Sequence, residues 1–555
     1  MTDIKQTKSQ ESSNAIERIY ITMRHLFNRG FYKPMGVSGK TLREALLTLQ
    51  PEIYGSIADE KTELDGLLYI IDRLPEGITE CKFIHLTADE GFTNSHFKSI
   101  IPAKRRRNCY RIDKDQMNIE ITRGRSDVYD VLTHLTFLYI ESNKIVQKVL
   151  LNDDGKVIRE WSHLETTVLK NKKLDQREKE VLFSYLSNIL GRPFSDIQIA
   201  YKNFAAKNIP NRFFEIIYWM GKLAINEIIS DKKHEITFSS ILRERIGHHI
   251  YGDLWATNIK EKLVEAGLHQ RNIHIISANM HSVMNSLYAA FSLPKESKSH
   301  QGLALYELMS HENSDKLRKI VKNTASKNGL IYLRDTSGTN INVQIIDTEK
   351  IDFDKTIFTP RVEEKPVIIV MDYAFGEQAY ETMDELLKPL DTEDGGKIYF
   401  NISSVSIMGK AGILQGEKGD IMIPRAHVFE GTADNYPFRN DLKKEDFANV
   451  GLGVFKGTMV SVLGTSLQNR DLLEFFKYST WKVIGLEMEG AHYQKAIQAA
   501  SKIRGNISKN VKIRYAYYAS DNPLETGSTL ASGGLGTTGV KPTYTITEKI
   551  LEKIL

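Results

Sequence analysis

The segment Glu487-Met488-Glu489 places two carboxylates either side of a methionine, directly after the apolar run Val483 to Leu486. Two carboxylates there either suit the first turn of a following helix, which favours negative charge, or hold a polar ligand at a strand end. A second strand-like run, "RYAYYAS", ends in Asp521-Asn522. Burial disfavours an ionised carboxyl, so an aspartate leaving such a run can keep a proton near neutrality and serve as an acid. The alternative reading of "SDNPL" (520–524) is a plain turn, because Asp, Asn and Pro all favour turns. A third run, "SVSIM", leads into Gly409-Lys410-Ala411-Gly412, whose backbone N–H groups and lysine suit an anion. Asp372 and Glu377, after the run "VIIV", are candidates to position water.

These residues need a frame. From about 326 onward short strand patterns alternate with helical ones. "KPVIIVMDYAFG", "KIYFNISSVSIMG", "GDIMIPRAHVFEG", "GTMVSVLG", "WKVIGLEME" and "KIRYAYYASD" read as strands. "GEQAYETMDELLKPL", "RDLLEFFKYS" and "AHYQKAIQAASKI" read as helices between them. The alternation predicts an α/β domain over 326–555, and unbroken Val/Ile runs predict strands covered on both faces. In such sheets ligands gather at the carboxyl ends of strands, where the residues above fall.

Upstream, residues 1–148 read as an α+β region, with a helix at "DVYDVLTHLTFLYIES" and a strand at "CKFIHLTAD". Residues 149–325 read as mainly helical at a period of 3.6. The region before residue 326 is thus α-rich, and no chemistry is assigned to it. The basic run "AKRRRNCYR" (103–111) is either a solvated loop or an anion contact, with "TRGRSD" close behind it. His274 and His281 have no carboxylate or third histidine at ligand spacing, so no metal is expected.

"GLEMEGA", followed by "SDNPL" with Glu489 and Asp521 32 positions apart, resembles the nucleoside phosphorylase and nucleosidase superfamily. "MGKAGILQGEKGDIMIPRAHV" is similar to its glycine turn and Gly-Asp strand, and "KGTMVSVLGTSLQNRDLLEF" to its Gly-Thr segment and Asn-Arg pair. Within that superfamily the pieces, in order over roughly 365–545, most resemble the AMP nucleosidases. Lys410 is more basic than the usual residue of the glycine turn, and "MDYAFGEQA" lacks the family's common phosphate-binding arginine.

The resemblance implies a mixed central sheet flanked by helices and cleavage of a purine N-glycosidic bond, AMP and water giving adenine and ribose 5-phosphate. Breaking that bond builds positive charge on the ribose and negative charge on the base, and rate comes from binding both better in the transition state. On this reading Glu489 takes the ribose hydroxyls and Asp521 protonates the base. Met488, Glu487, Gly409, Lys410, Gly412, Thr458, Arg470 and Asn522 line the substrate, with Met488 a soft surface against the sugar. Lys456, Arg425 and Arg470 are candidates for a 5′-phosphate, and Phe375, Tyr373 and Phe429 for stacking on the base. The stretch "ASGGLGTTGVKP" (531–542) reads as a loop closing over the site. A purine nucleoside phosphorylase, or a nucleosidase for unphosphorylated nucleosides, is a second reading. A nucleotide sensor, hinted at by the basic run 104–107, is a third.

Composition sets the bounds. The chain has 555 residues, 41% apolar and 26% charged, as in ordinary globular proteins. Its +4 net charge, from 74 basic and 70 acidic residues, points to neither nucleic acid nor a membrane surface. Two cysteines, Cys81 and Cys109, make no disulfide framework and fit a reducing cytoplasm. The expected partners are a purine nucleotide or nucleoside, phosphate in the phosphorylase case, and further copies of the chain (a hexamer among the forms implied), with no cofactor.

Overall fold

The computed structural model describes residues 7–105, 107–152, 154–170, 174–206, 209, 211–230, 233–360, 364–525 and 535–555. The chain forms two compact units. The first comprises Met1–Thr122, Asp127–Gly247 and Ser466–Leu472; the second comprises Arg123–Ser126, His248–Thr465 and Leu473–Leu555.

The first unit is built on a six-stranded sheet. Its order is Phe31–Tyr32, Glu235–Phe238, Phe83–Thr87, Gln116–Glu120, Cys109–Arg111 and Ser99–Ile100. The strand Glu235–Phe238 pairs with Phe83–Thr87, so the expected boundary at 148/149 does not separate two units. Within the basic run Lys104 is exposed, whereas Arg105 and Arg107 are paired with carboxylates. Arg107 is 2% exposed and donates from Nε and Nη2 to Asp127 at 2.9 and 2.7 Å, while Arg105 Nε donates to Asp130 at 3.1 Å. A buried guanidinium persists only when paired in this way.

The second unit carries a ten-stranded mixed sheet flanked by helices, the α/β class that the sequence pattern predicts. In chain order its strands are β1 (Ile273–Ser277), β2 (Leu330–Leu333), β3 (Val343–Asp347), β4 (Val367–Met371), β5 (Ile402–Ile413), β6 (Ile421–Phe429), β7 (Asn435–Pro437), β8 (Val454–Ser461), β9 (Val483–Glu487) and β10 (Lys512–Asp521). The helices that matter here are α1 (Ile250–Glu265), α2 (Met280–Ser292), α3 (Gln378–Leu386), α4 (Gly490–Gln498) and α5 (Val540–Ile554). All five residues of β4 are buried, because Ile369 and Met371 enter one apolar core and Ile368 and Val370 the other. Successive side chains of a strand point to opposite faces, so a strand covered twice reads as one apolar run.

The long strand β5 organises the sheet. Its first half, to Ile407, pairs in parallel with β1 on one edge and with β10 on the other. Beyond the end of β1, the same edge of β5 takes up β9 instead, antiparallel at Gly412 and Ile413. Since β10 also pairs with β6, β6 with β8, and β8 with β9, strands β5, β10, β6, β8 and β9 close into a ring. β1 lies between β4 and β5, so the second unit takes in residues from 248 rather than starting at 326. The glycine-rich stretch 531–542 is described only from Leu535, where a short turn at Gly536–Gly539 leads into α5; residues 531–534 lie outside the described residues. No described helix is long and apolar enough to cross a membrane.

The ring is tight at Gly485, where an added Cβ would collide with Met422 Sδ and stand 2.6 Å from the Gly412 carbonyl oxygen. Gly485→Ala therefore costs about 1–3 kcal/mol through overpacking. The expected result is a lower thermal midpoint by scanning calorimetry, with secondary structure by circular dichroism unchanged at 20 °C as an approximate working temperature.

Candidate active site

The two glutamates of Glu487-Met488-Glu489 do different work. Glu487 ends β9, is 5% exposed, and faces Ser461 at the end of β8. Its Oε2 accepts the backbone N–H groups of Glu489 (2.5 Å) and Gly490, and its Oε1 accepts the Ser461 hydroxyl. Ser461 Oγ in turn accepts the Ala491 N–H at 2.7 Å. Glu487 and Ser461 thus satisfy the first N–H groups of α4, which have no partner within the helix. Burial and then the neighbouring Glu489 push the Glu487 carboxyl up to about 8, against the pull of its three donors.

Glu489 is partly buried, and its carboxylate reaches back across the strand ends. Oε1 accepts the Gly376 N–H at 3.1 Å and Oε2 the Met488 N–H at 3.3 Å. Burial pushes this carboxyl up to about 7, opposed by those two N–H groups and by the charges of Arg123 and Lys410. Gly376 belongs to the turn between β4 and α3 and has φ +55°, a conformation suited to glycine. An added Cβ there would also strike the Ser126 hydroxyl. The next residue, Glu377, donates its N–H to Ser126 Oγ at 2.9 Å and sets Oε2 3.7 Å from Arg125 Nη1. Its Oε1 is buried without a hydrogen-bond partner among the described residues.

Asp521 ends β10 and is 6% exposed. Oδ1 accepts the Ser520 hydroxyl, whereas Oδ2 is buried without a hydrogen-bond partner among the described residues. Burial raises its pKa, opposed by Ser520 and by the charges of Lys410 and Lys418. Gly412 pairs with Asp521 on one side and with Leu486 on the other. Two strand spacings put those strand ends about 10 Å apart, the span of a nucleoside. The exposed Lys410 lies two residues before Gly412 on β5, and its charge acts on both Glu489 and Asp521.

Several residues read as ligands in the sequence take other places. Asn522 uses its amide on the turn, donating to the Gly416 carbonyl at 3.2 Å and accepting the Leu524 N–H at 3.1 Å. Thr458 is buried within β8, three residues and about 10 Å before the strand end at Ser461. Lys456 is further back on the same strand, and Arg425 is exposed in the middle of β6. Arg470 falls in the first unit, where its charge acts on Glu52. Of the aromatic candidates, Phe375 carries the Arg123 guanidinium 4.5 Å above its ring, and Phe429 packs on His492 at 4.8 Å. Asp372 holds the Tyr373 N–H at 2.9 Å. Gly409 lies against Tyr373, 3.5 Å from its ring to a built Cβ. His274 Nδ1 stands 2.7 Å from Ser404 Oγ. The sequence reading missed Arg123, Ser126 and Ser461; only "TRGRSD" carried a signal, as a suspected anion contact.

Fold and site together define an α/β protein with buried carboxylates gathered at strand ends. The chain belongs to a family of unknown function, DUF6909, whose model matches residues 40–298 and 291–555. No curated protein matches it in sequence. Among solved structures, the chain is similar to futalosine hydrolase of Helicobacter pylori, with 13% identity over 51% of this chain and 98% of that one (TM-score 0.31). It is also similar to the 5′-methylthioadenosine/S-adenosyl homocysteine nucleosidase of Campylobacter jejuni, at 11% identity over 51% and 99% (TM-score 0.31). A third likeness is to purine nucleoside phosphorylase from Toxoplasma gondii in complex with immucillin-H, at 14% over 52% and 92% (TM-score 0.28).

The Glu489 pKa is raised in the folded state, so its contribution to stability is complete below its ordinary 4.5 and is lost as pH rises through about 7. The thermal midpoint is therefore expected to fall between pH 5 and 8, and to fall less in Glu489→Gln, as read by differential scanning fluorimetry at constant ionic strength.

Proposed function

We propose that the second unit hydrolyses the N-glycosidic bond of a purine nucleotide, AMP and water giving adenine and ribose 5-phosphate. The observation that carries this reading is the buried Asp521 carboxyl, with one oxygen unengaged among the described residues, across Gly412 from the strand that delivers Glu489. As the bond from C1′ to the base nitrogen breaks, its electron pair passes to the purine and Asp521 gives a proton to the purine nitrogen N7. The Glu489 carboxylate accepts hydrogen bonds from the 2′- and 3′-hydroxyls, which strengthen as the ring becomes cationic. Glu377, with an unengaged Oε1, takes a proton from water as its oxygen bonds to C1′. The proton lost by Asp521 and the one gained by Glu377 re-equilibrate through solvent, so the enzyme is regenerated.

One observation favours a second reading. Lys410 acts on both carboxylates, and a cation there suits inorganic phosphate as the nucleophile in place of water. The products would then be the free base and a ribose 1-phosphate.

A panel of purine nucleosides and 5′-nucleotides, with and without inorganic phosphate, tests both readings by release of free base. Hydrolysis predicts adenine from AMP without added phosphate; release only with phosphate selects the second reading. Release from no compound would refute the proposal. Asp521→Asn is expected to lower kcat by about 10²–10⁴-fold, the range of general-acid effects. Because burial raises the Asp521 pKa, wild-type activity falls on the alkaline side at a pH above the ordinary carboxyl range, and that limb is absent in Asp521→Asn.

A further inference from the structure

At the amino ends of β1, β5 and β10 the second unit holds an open cavity of about 590 Å³, within the range of small-molecule sites. The strand run from Arg514 to Asp521 spans about 23 Å, so this cavity is distinct from the candidate active site. One set of lining side chains forms a row in which Ser404 of β5 stands opposite His274 of β1 and Lys512 of β10. Arg514, 3% exposed, is fully engaged by the protein. Its Nε donates to Asp441 at 2.9 Å, Nη2 to the Lys553 carbonyl at 3.1 Å, and Nη1 to Ser404 Oγ at 2.8 Å. Ser404 Oγ lies 2.7 Å from His274 Nδ1. Burial, and then the Arg514 charge, hold His274 down at about 4, so the ring is neutral with one acceptor nitrogen. The Ser404 hydrogen has no other acceptor among the described residues, which assigns Nδ1 as that acceptor and puts the ring hydrogen on Nε2. Lys512 is exposed, and its ammonium meets no carboxylate within ion-pair distance among the described residues. The second set lies two residues earlier along β1. Asn272 donates Nδ2 to Glu364 at 2.6 Å, and its Oδ1 accepts the Ser403 hydroxyl at 3.1 Å and the Asn401 amide. Asn401 Oδ1 and the Glu364 carboxylate remain as acceptors.

We propose that this cavity binds a small zwitterion, a free amino acid, with its carboxylate on His274 Nε2 and Lys512 Nζ and its ammonium on Glu364 and Asn401. Charge decides the class. Of the charged lining residues, Arg514 is paired with Asp441, and Lys553 stands 3.1 Å from Asp446. That leaves Lys512 and Glu364, one charge of each sign, which matches a zwitterion and neither a simple anion nor a simple cation. Spacing agrees, since two residues along a strand separate donors from acceptors by about 7 Å. One molecule with a carboxylate and an ammonium bridges that gap with a hydrogen bond at each end. A purely structural role accounts for Arg514 and Asn272, whose partners all belong to the protein. It leaves the fixed His274 donor, the Lys512 ammonium and the Asn401 acceptor without a purpose. The proposal is independent of the N-glycosidase reading.

The test is calorimetric titration of the full chain with the common L-amino acids singly, and with acetate and ethylamine, which each carry one of the two charges. At least one amino acid is expected to bind about 10-fold more tightly than either half-ligand, the share of one charge-assisted hydrogen bond. Its affinity is expected to be the same in excess AMP, because the two sites are separate. Lys512→Ala and Glu364→Gln, both at the rim of the cavity, are each expected to weaken it about 10-fold. His274→Phe, which removes the Nε2 donor, is expected to do the same provided circular dichroism shows it folded. Binding of no amino acid, or of acetate as tightly as the best of them, overturns the proposal. So does displacement by AMP, or an affinity unchanged in both Lys512→Ala and Glu364→Gln. Failure of AMP to yield adenine would defeat the N-glycosidase reading and leave the amino-acid site standing.

Discussion

The site depends on one backbone constraint, the double pairing of Gly412. By hydrogen-bonding to β10 on one edge and β9 on the other, β5 fixes the separation of two strand ends through the main chain. Asp521 and the Glu487–Glu489 segment are then set in place by sheet geometry rather than by flexible side-chain contacts. The constraint in turn needs β5 to exchange β1 for β9 along the same edge, and the closed ring of five strands follows from that exchange. Glycine at 485 keeps the crossing close.

Within that frame neighbouring carboxylates acquire different roles from their donors. Glu487 receives the Glu489 and Gly490 N–H groups and the Ser461 hydroxyl, which commits it to the start of α4. Glu489 receives two longer N–H contacts and sits among cations, so it keeps capacity for a ligand. Asp521 has one satisfied oxygen and one without a partner among the described residues.

Much of this frame was legible in the sequence because it is local. Val/Ile runs announce strands covered twice, and the residues that end them announce the site; β4, β9 and β10 were found in this way. What failed was non-local. The place of β1 between β4 and β5 is a non-local pairing that no local pattern carries. The segment Arg123–Ser126 reaches the site only through folding, and nothing in its spacing links it to Glu377. Arg470 lies in a stretch whose residues resemble a ligand pair. Yet residues 466–472 fold with the first unit, where Asn469 Nδ2 donates to the Leu49 carbonyl and lies 3.2 Å from Ser12 Oγ.

The central claim is that residues 489 and 521 address opposite ends of one nucleoside. A crystal structure of Asp521→Asn with AMP bound tests it most directly. The account predicts the 2′- and 3′-hydroxyls within hydrogen-bond distance of Glu489 and the purine N7 within reach of the residue 521 side chain. A nucleotide bound elsewhere, or bound here with its base turned away from residue 521, would contradict it.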